Sequence, residues 1–222
     1  MTSPILVFDL DGTLVDTADD LVATLNVVLE EAGLGGVTGA QTRAMVGHGA
    51  RVLIERALAA KGAERAPDEV DALLARYIKH YGANIAVASR PFPGVEAALD
   101  RFSARGFALA VCTNKLEHLS LRLLDALGLS PRFAAICGAD TFAVRKPDPL
   151  MLTETIRRAG GDAARAVMIG DSATDIDTAR AAGIPVVAVD FGYTPVPVTE
   201  LSPDVVISHY DALDDAVAKV LA

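Results

Sequence analysis

The stretch ILVFDLDGTL occupies residues 5–14 and joins a short apolar run to an acidic turn. An apolar run of this length that ends in Asp and Gly is typical of a strand buried on both faces of a parallel sheet. Side chains two residues apart point to the same side of an extended chain, so Asp9 and Asp11 can face one site. We expect that site at the carboxyl end of the strand, where open α/β sheets bind their ligands.

The two aspartates suggest a specific chemistry. Two carboxylates held close together repel each other, so we expect a cation or a shared proton between them. Asp9 can attack phosphorus to form an aspartyl-phosphate, while Asp11 can protonate the leaving oxygen and then activate water. Mg²⁺ would reduce the repulsion between carboxylate and phosphate, and Gly12 lets a phosphate approach the backbone. A plain surface turn explains Asp11–Gly12 but not a second aspartate that ends an apolar strand.

Further apolar runs follow the first one along the chain. They cover residues 107–112, 134–137, 166–169, 185–189 and, more weakly, 205–207. Amphipathic helical stretches lie at residues 95–105, 117–127, 150–159, 174–182 and 211–221. Strands that alternate with helices predict an α/β fold with a doubly wound parallel sheet.

One long segment breaks this alternation. Residues 17–88 contain no convincing strand, and their periodicity predicts four helices at 17–32, 38–45, 50–60 and 68–81. We therefore predict a helical cap domain, residues 16–88, inserted into a core formed by residues 1–15 and 89–222. The turn-rich residues 90–94 are the expected hinge by which the chain returns to the core.

Polar residues follow three later strands of the predicted sheet. Thr113 and Asn114 follow the second strand and can hold phosphate oxygens, and Lys146 follows the third, between stiffening prolines. Asp171 ends the fourth strand and can complete a cation site of oxygen ligands with Asp9. Asp175 lies one helical turn further on, where it can orient a metal-bound water or Lys146. Taken singly, Thr113 is explained as a helix cap, Lys146 as a surface charge and Asp175 as a helix-dipole contact. Their common position after strands of one sheet nevertheless indicates a single site.

Together these motifs resemble the four ordered motifs of haloacid-dehalogenase-superfamily hydrolases, and the resemblance covers the whole chain. It implies a Rossmann-like core with the first strand central, an inserted helical cap, Mg²⁺ as cofactor and an aspartyl-phosphate mechanism. By this resemblance Asp9 is the nucleophile and a Mg²⁺ ligand, and Asp11 is the general acid/base and binds Mg²⁺ through its backbone carbonyl. The resemblance also implies that Thr113 binds phosphate, that Lys146 balances charge and that Asp171 ligates Mg²⁺.

Within that superfamily the chain is most similar to bacterial phosphoglycolate phosphatases, through residues 46–49, the cap helix segment 53–58 and residues 191–193. This resemblance implies hydrolysis of 2-phosphoglycolate to glycolate and phosphate. Phosphatases for other sugar phosphates or for pyrophosphate share much of the pattern, and so does a phosphomutase of the same superfamily. A dehalogenase would leave the later aspartates unexplained, and a non-catalytic phosphate-dependent regulator is a more remote alternative.

The leaving group must be recognised outside the four motifs, and the cap is the expected place. Gly47, His48 and Gly49 lie between two predicted cap helices, so they can form an exposed loop in which His48 binds a substrate carboxylate. The alternative is an ordinary glycine-lined turn with a solvated histidine. Arg51 can add positive charge there, although a solvated surface charge is the simpler interpretation.

Composition excludes several classes of partner. The formal net charge of −9 over 222 residues argues against nucleic acid or an anionic membrane as a general partner. The amino-terminal apolar run lacks a preceding basic region, and Asp9 interrupts it, so it does not resemble a signal peptide. We expect a cytoplasmic protein, a monomer or homodimer, that acts on a small phosphorylated metabolite.

Overall fold

The computed structural model describes residues 2–38, 47 and 49–222. The strands are β1 Ser3–Phe8, β2 Val15–Asp16, β3 Arg90–Pro91, β4 Ala108–Cys112, β5 Ala135–Cys137, β6 Gly161–Gly170, β7 Val186–Val189 and β8 Val205–Ile207. The α-helices are α1 Ala18–Glu31, α2 Ala50–Ala60, α3 Pro67–Ala83, α4 Val95–Ala104, α5 Glu117–Ala126, α6 Pro149–Arg158, α7 Ala173–Ala182 and α8 Leu213–Val220. Short 3₁₀ helices span Ser130–Arg132, Val198–Leu201 and Tyr210–Ala212.

A parallel sheet in the order β5-β4-β1-β6-β7-β8 forms the core, and β1 is central between β4 and β6. Alternate residues of β1 serve two separate hydrophobic clusters, because successive side chains point to opposite faces of a strand. Leu6 and Phe8 pack into one cluster, and Ile5 and Val7 pack into the other. Helices cover both faces, which confirms the predicted α/β doubly wound sheet.

The predicted strands are all present, and the largest difference in their bounds concerns β6. The sequence predicted a strand at 166–169, whereas the observed strand begins at Gly161 and pairs there with Ser3. The added residues 163–165 are exposed and not uniformly apolar, so hydrophobicity gave no signal for them. The strand is extended by backbone pairing rather than by burial of its side chains.

Helices α1, α2 and α3 share a hydrophobic cluster of their own. Leu25, Ile54 and Tyr77 are among its buried members, and Leu119 of α5 joins it from the core side. The helix predicted at 38–45 falls almost entirely outside the described residues. The division into a core of residues 1–15 and 89–222 and a cap of residues 16–88 stays a prediction.

The chain runs from the sheet to these helices through β2 and returns through β3, and the two segments lie side by side. β2 and β3 form a two-stranded antiparallel pair, in which Val15 opposes Pro91 and Asp16 opposes Arg90. The sequence predicted only a turn-rich hinge at residues 90–94, because two-residue strands have no hydrophobic periodicity to detect. The hinge region is therefore a paired ribbon and not two independent linkers.

A buried carboxylate fastens this ribbon to the first helix of the insertion. Asp20 in α1 accepts hydrogen bonds from Ala88 N at 2.9 Å, Ser89 N at 2.8 Å and Ser89 Oγ at 2.6 Å. Asp20 is only 5% exposed, so these bonds are shielded from water. Charge-assisted bonds of this kind are stronger than neutral ones.

Among the described residues, the helices include none with the length and apolar composition needed to cross a bilayer.

We expect Asp20→Asn to destabilise the protein by about 1–3 kcal/mol, because a neutral amide accepts more weakly than the carboxylate and places its own NH₂ group near the Ala88 N–H. Urea unfolding measures the loss. Ser89→Ala, which removes only one of the donors, should cost less. An unchanged unfolding midpoint for Asp20→Asn would contradict the role of this clamp, and Asp125→Asn on the exposed face of α5 is the control.

Candidate active site

The candidate residues meet at the carboxyl edge of the sheet. Asp9 follows β1, Thr113 follows β4 and Asp171 follows β6, while Lys146 lies in the loop after β5. Each of these side chains is less than 5% exposed. The parallel topology thus brings Asp9 together with residues that lie more than a hundred positions later in the chain.

Lys146 connects two of the carboxylates. Its Nζ atom lies 2.8 Å from Asp9 Oδ1 and 2.6 Å from Asp175 Oδ1. The other oxygen of Asp175 accepts from the Asp171 and Ser172 backbone and from Ser172 Oγ, which completes a capping box at the start of α7. Asp175 therefore holds Lys146 and caps a helix at the same time, so both interpretations of this residue have a structural basis.

Asp171 is held by donors on two different loops. Thr13 Oγ1 donates to its Oδ1 at 3.2 Å, and the backbone N–H of Tyr193 donates to its Oδ2 at 2.7 Å. Gly12 has φ +84°, and a Cβ atom there would lie 2.5 Å from Asp171 Oδ2. A side chain at Gly192 would also collide with Asp171. Glycine at these positions leaves room for the carboxylate, while phosphate binding by Gly12 stays a prediction.

Burial dominates the electrostatics of this cluster. It raises the pKa of Asp9 from 3.8 to about 6, even though the charge of Lys146 opposes the shift. Burial, together with the charges of Asp175 and Asp9, raises the pKa of Asp171 well above its ordinary value. Burial acts to lower the pKa of Lys146, but the charges of Asp175 and Asp9 outweigh it and raise that pKa. The proton stays on the lysine, and one ammonium faces three buried acids.

This imbalance fits a divalent cation. Asp9, Asp171 and Asp175 each place a carboxylate oxygen within 4.8 Å of the others. Hard cations such as Mg²⁺ and Ca²⁺ prefer oxygen ligands, and a bound cation favours ionised neighbours. Asp175 accepts from the Lys146 ammonium and from three donors at the start of α7, whereas Asp171 accepts from two neutral donors. Asp9 and Asp171 are therefore the side chains best placed to hold such an ion.

Asp11 is directed toward a different set of partners. Its carboxylate accepts from Thr17 Oγ1 at 2.7 Å and from Lys115 Nζ at 2.8 and 3.0 Å. Lys115 is 8% exposed, and its Nζ lies 4.4 Å from the centre of the Tyr81 ring. Asp11 therefore faces the helical insertion, whereas Asp9 faces the carboxylate cluster.

Thr113 and Asn114 have different environments. Thr113 Oγ1 accepts from Lys115 N at 3.2 Å, and within the described residues its hydroxyl proton has no assigned acceptor, so it is available for a phosphate oxygen. Asn114 Nδ2 donates to the Lys146 carbonyl at 3.1 Å and so fixes the lysine loop. Its Oδ1 is buried without a partner in the described part of the chain. Phosphate binding by Asn114 remains a prediction.

A cavity of about 230 Å³ lies between this edge and the helical insertion. Asp9, Asp11 and Thr113 line its floor, and Gly47 and Gly49 contribute to its wall. His48, the predicted carboxylate ligand, lies outside the described residues. Arg51 also lines the cavity, but its guanidinium is paired with Asp71 and, at 3.7 Å, with Glu55, which agrees with a surface ion pair.

Sequence reasoning gave no role at the site to Lys115 or Tyr193, although residues 191–193 carried part of the family resemblance. Lys115 directly follows the Thr113–Asn114 motif, so its position after a buried strand was an available signal. Tyr193 donates its N–H to Asp171, and its hydroxyl accepts from Thr17 N at 2.7 Å and pairs with Asp16. No local pattern indicated this link, because it joins positions 22 to 177 residues apart.

Known proteins with the same sequence pattern and fold decide the family. The model of haloacid dehalogenase-like hydrolases matches residues 6–189, which include Asp9, Asp11, Thr113, Lys146, Asp171 and Asp175. The chain belongs to this family. The predicted family and the predicted class, a hydrolase, are confirmed.

Individual relatives in the family extend the similarity over nearly the whole chain. A phosphoglycolate phosphatase of Mesorhizobium japonicum is 59% identical over 221 residues, covering 100% of this chain and 97% of its own. One from Agrobacterium fabrum is 51% identical over 219 residues and covers 99% and 94%. The crystal structure of a predicted phosphoglycolate phosphatase from Haemophilus somnus 129pt superimposes with a TM-score of 0.90 at 28% identity, covering 97% of this chain and 98% of that one.

Without divalent cations, Asp9→Asn should gain stability relative to the wild type by about 3 kcal/mol as the pH rises from about 4 to about 7. Because the pKa of folded Asp9 is raised, the folded wild type binds more protons than the unfolded chain between pH 3.8 and about 6, so its stability falls as the pH rises through that window. The neutral amide avoids this loss.

Urea unfolding in a chelator at several pH values measures this difference in stability. If the difference in unfolding free energy between wild type and variant does not change with pH, the raised pKa of Asp9 is contradicted. Addition of Mg²⁺ should shrink the gap, because the cation stabilises the ionised wild-type carboxylate.

Proposed function

We propose that the protein is a Mg²⁺-dependent phosphatase that hydrolyses 2-phosphoglycolate to glycolate and phosphate through an aspartyl-phosphate on Asp9. The observation that carries the proposal is the buried contact of Asp9 with Lys146 at the floor of a cavity, beside the oxygens of Asp171. Two relatives that are 59% and 51% identical over almost the whole chain are named phosphoglycolate phosphatases.

The nucleophile is prepared by its surroundings. Lys146 fixes Oδ1 of Asp9 and limits the build-up of negative charge when a phosphate approaches. The Thr113 hydroxyl donates to a phosphoryl oxygen from the adjacent strand end. Asp9 and Asp171 would hold Mg²⁺, with the backbone carbonyl of Asp11 as a further ligand. When bound, Mg²⁺ offsets the charge that develops on the phosphoryl oxygens.

Asp11 performs the proton transfers. It lies in the cavity wall where the leaving oxygen departs, and Thr17 and Lys115 fix its carboxylate. In the first step, the protonated carboxyl gives its proton to the leaving oxygen of glycolate. In the second step, the carboxylate takes a proton from the water that attacks the aspartyl-phosphate.

Residues 16–88 act as a cap in this proposal. Their helices form the cavity roof, so closure excludes bulk water while the phosphoryl group is transferred. The protein would act in the cytoplasm, where the free buried thiols of Cys112 and Cys137 stay reduced.

Phosphate release from 2-phosphoglycolate should require Mg²⁺, and Asp9→Asn should lower kcat by at least about 10³-fold, because the covalent step loses its nucleophile. The assay compares 2-phosphoglycolate with hexose phosphates and pyrophosphate, each with Mg²⁺ and with chelator. Asp125→Asn serves as the matched control for a lost carboxylate. Full activity of Asp9→Asn would eliminate the covalent mechanism, and a preference for another ester would replace the proposed substrate.

A further inference from the structure

Two buried tyrosine hydroxyls of the cavity roof lack hydrogen-bond partners within the described residues. Tyr77 and Tyr81 are each 1% exposed and lie one turn apart on α3, with ring centres 6.2 Å apart. Buried polar groups are nearly always paired, because an unpaired one loses its bonds to water without compensation. Two such groups side by side at a cavity indicate donors that await a ligand.

The two tyrosines share one cavity with the reacting groups. Both rings line the cavity together with Asp11 and Lys115, and Lys115 Nζ lies against the Tyr81 ring. Burial raises the pKa of the Tyr77 hydroxyl, and the charge of Lys115 acts on it in the opposite direction, so the two groups are close. Burial also raises the pKa of Tyr81. Both phenols therefore stay protonated and can donate.

Lys115 adds a positive charge to this group. An ammonium has three donor hydrogens, and the Asp11 oxygens are the acceptors found for Lys115 Nζ in the described structure. A further hydrogen remains for a second anion in the cavity. Two phenols and one ammonium, all buried, are a set of donors that matches a carboxylate.

Apart from Asn114, Arg51 and Arg145, the rest of the wall is apolar and limits what can bind. It includes Leu21, Leu53, Leu74, Ile78, Leu116 and Leu119. The hydroxyls of a sugar phosphate would find few partners on this surface, and each unpaired one would weaken binding. A volume of about 230 Å³ suits a small molecule with one anionic group besides its phosphate.

We propose that Tyr77, Tyr81 and Lys115 bind the carboxylate of the leaving group and so select short phosphorylated acids over sugar phosphates. This inference rests on the proposed phosphatase function and adds to it the residues that determine specificity. The two tyrosines recognise the leaving group from the cap side, and Lys115 does so from the loop after β4.

The test compares 2-phosphoglycolate with ethyl phosphate, in which a methyl group replaces the carboxylate. Tyr77→Phe and Tyr81→Phe should each lower kcat/KM for 2-phosphoglycolate by about 10- to 100-fold, because each removes a hydrogen bond to a charged group. Ethyl phosphate hydrolysis should stay within about 3-fold of wild type, since no carboxylate is present to be bound. The double variant should lose more of the preference for the acid than either single variant, and Lys115 should account for what remains.

The melting temperature separates recognition from folding. Each Tyr→Phe variant should melt at the wild-type temperature or above, because it removes an unpartnered buried hydroxyl. Ser130→Ala removes another such hydroxyl, in the 3₁₀ helix after α5 and outside the cavity wall, and should change neither substrate's kinetics. The single variants preserve the test if the double variant does not fold.

An unchanged kcat/KM for 2-phosphoglycolate, or an equal loss for both esters, would overturn the inference and leave the phosphatase proposal standing. Activity of the wild type on ethyl phosphate but not on 2-phosphoglycolate would also overturn it. If the wild type releases phosphate from neither ester with Mg²⁺, the proposed function itself fails.

Discussion

The buried ion pair between Lys146 and Asp9 is the contact on which the rest of the site depends. Removing Lys146 would leave the charges of Asp9 and Asp175 uncompensated in a dry environment, which costs several kcal/mol. The lysine is itself held by Asp175, which also caps α7, so helix, loop and nucleophile share one network. The network contains three buried carboxyl groups and one ammonium, so its excess negative charge favours binding of a divalent cation.

Much of this arrangement could be predicted from the sequence, for a physical reason. In a parallel sheet all strands end at one edge, so the order of apolar runs along the chain locates the polar residues that follow them. Asp9, Lys146 and Asp171 needed only this rule to be placed together. The prediction of Asp175 as a residue that positions the lysine rests on one further rule, the spacing of a helical turn.

Other features could not be predicted from the sequence, because they depend on contacts between residues that are far apart in the chain. The paired hinge strands β2 and β3 are too short for periodicity, and the hydrogen bonds of Tyr193 join three distant loops. Tyr77 and Tyr81 resemble ordinary core residues at helical spacing, and only their missing partners in the described structure distinguish them. The proposed recognition of the leaving group therefore rests on unsatisfied groups, which only coordinates can show.

The ribbon of β2 and β3 has an evolutionary consequence. Because the chain leaves the sheet at Val15 and returns opposite it at Pro91, the two ends of the insertion are neighbours. A helical unit of another size and shape can be spliced between such ends without altering the register of any core strand. Recombination at this one junction would replace the roof of the cavity and leave the carboxyl edge of the sheet unchanged.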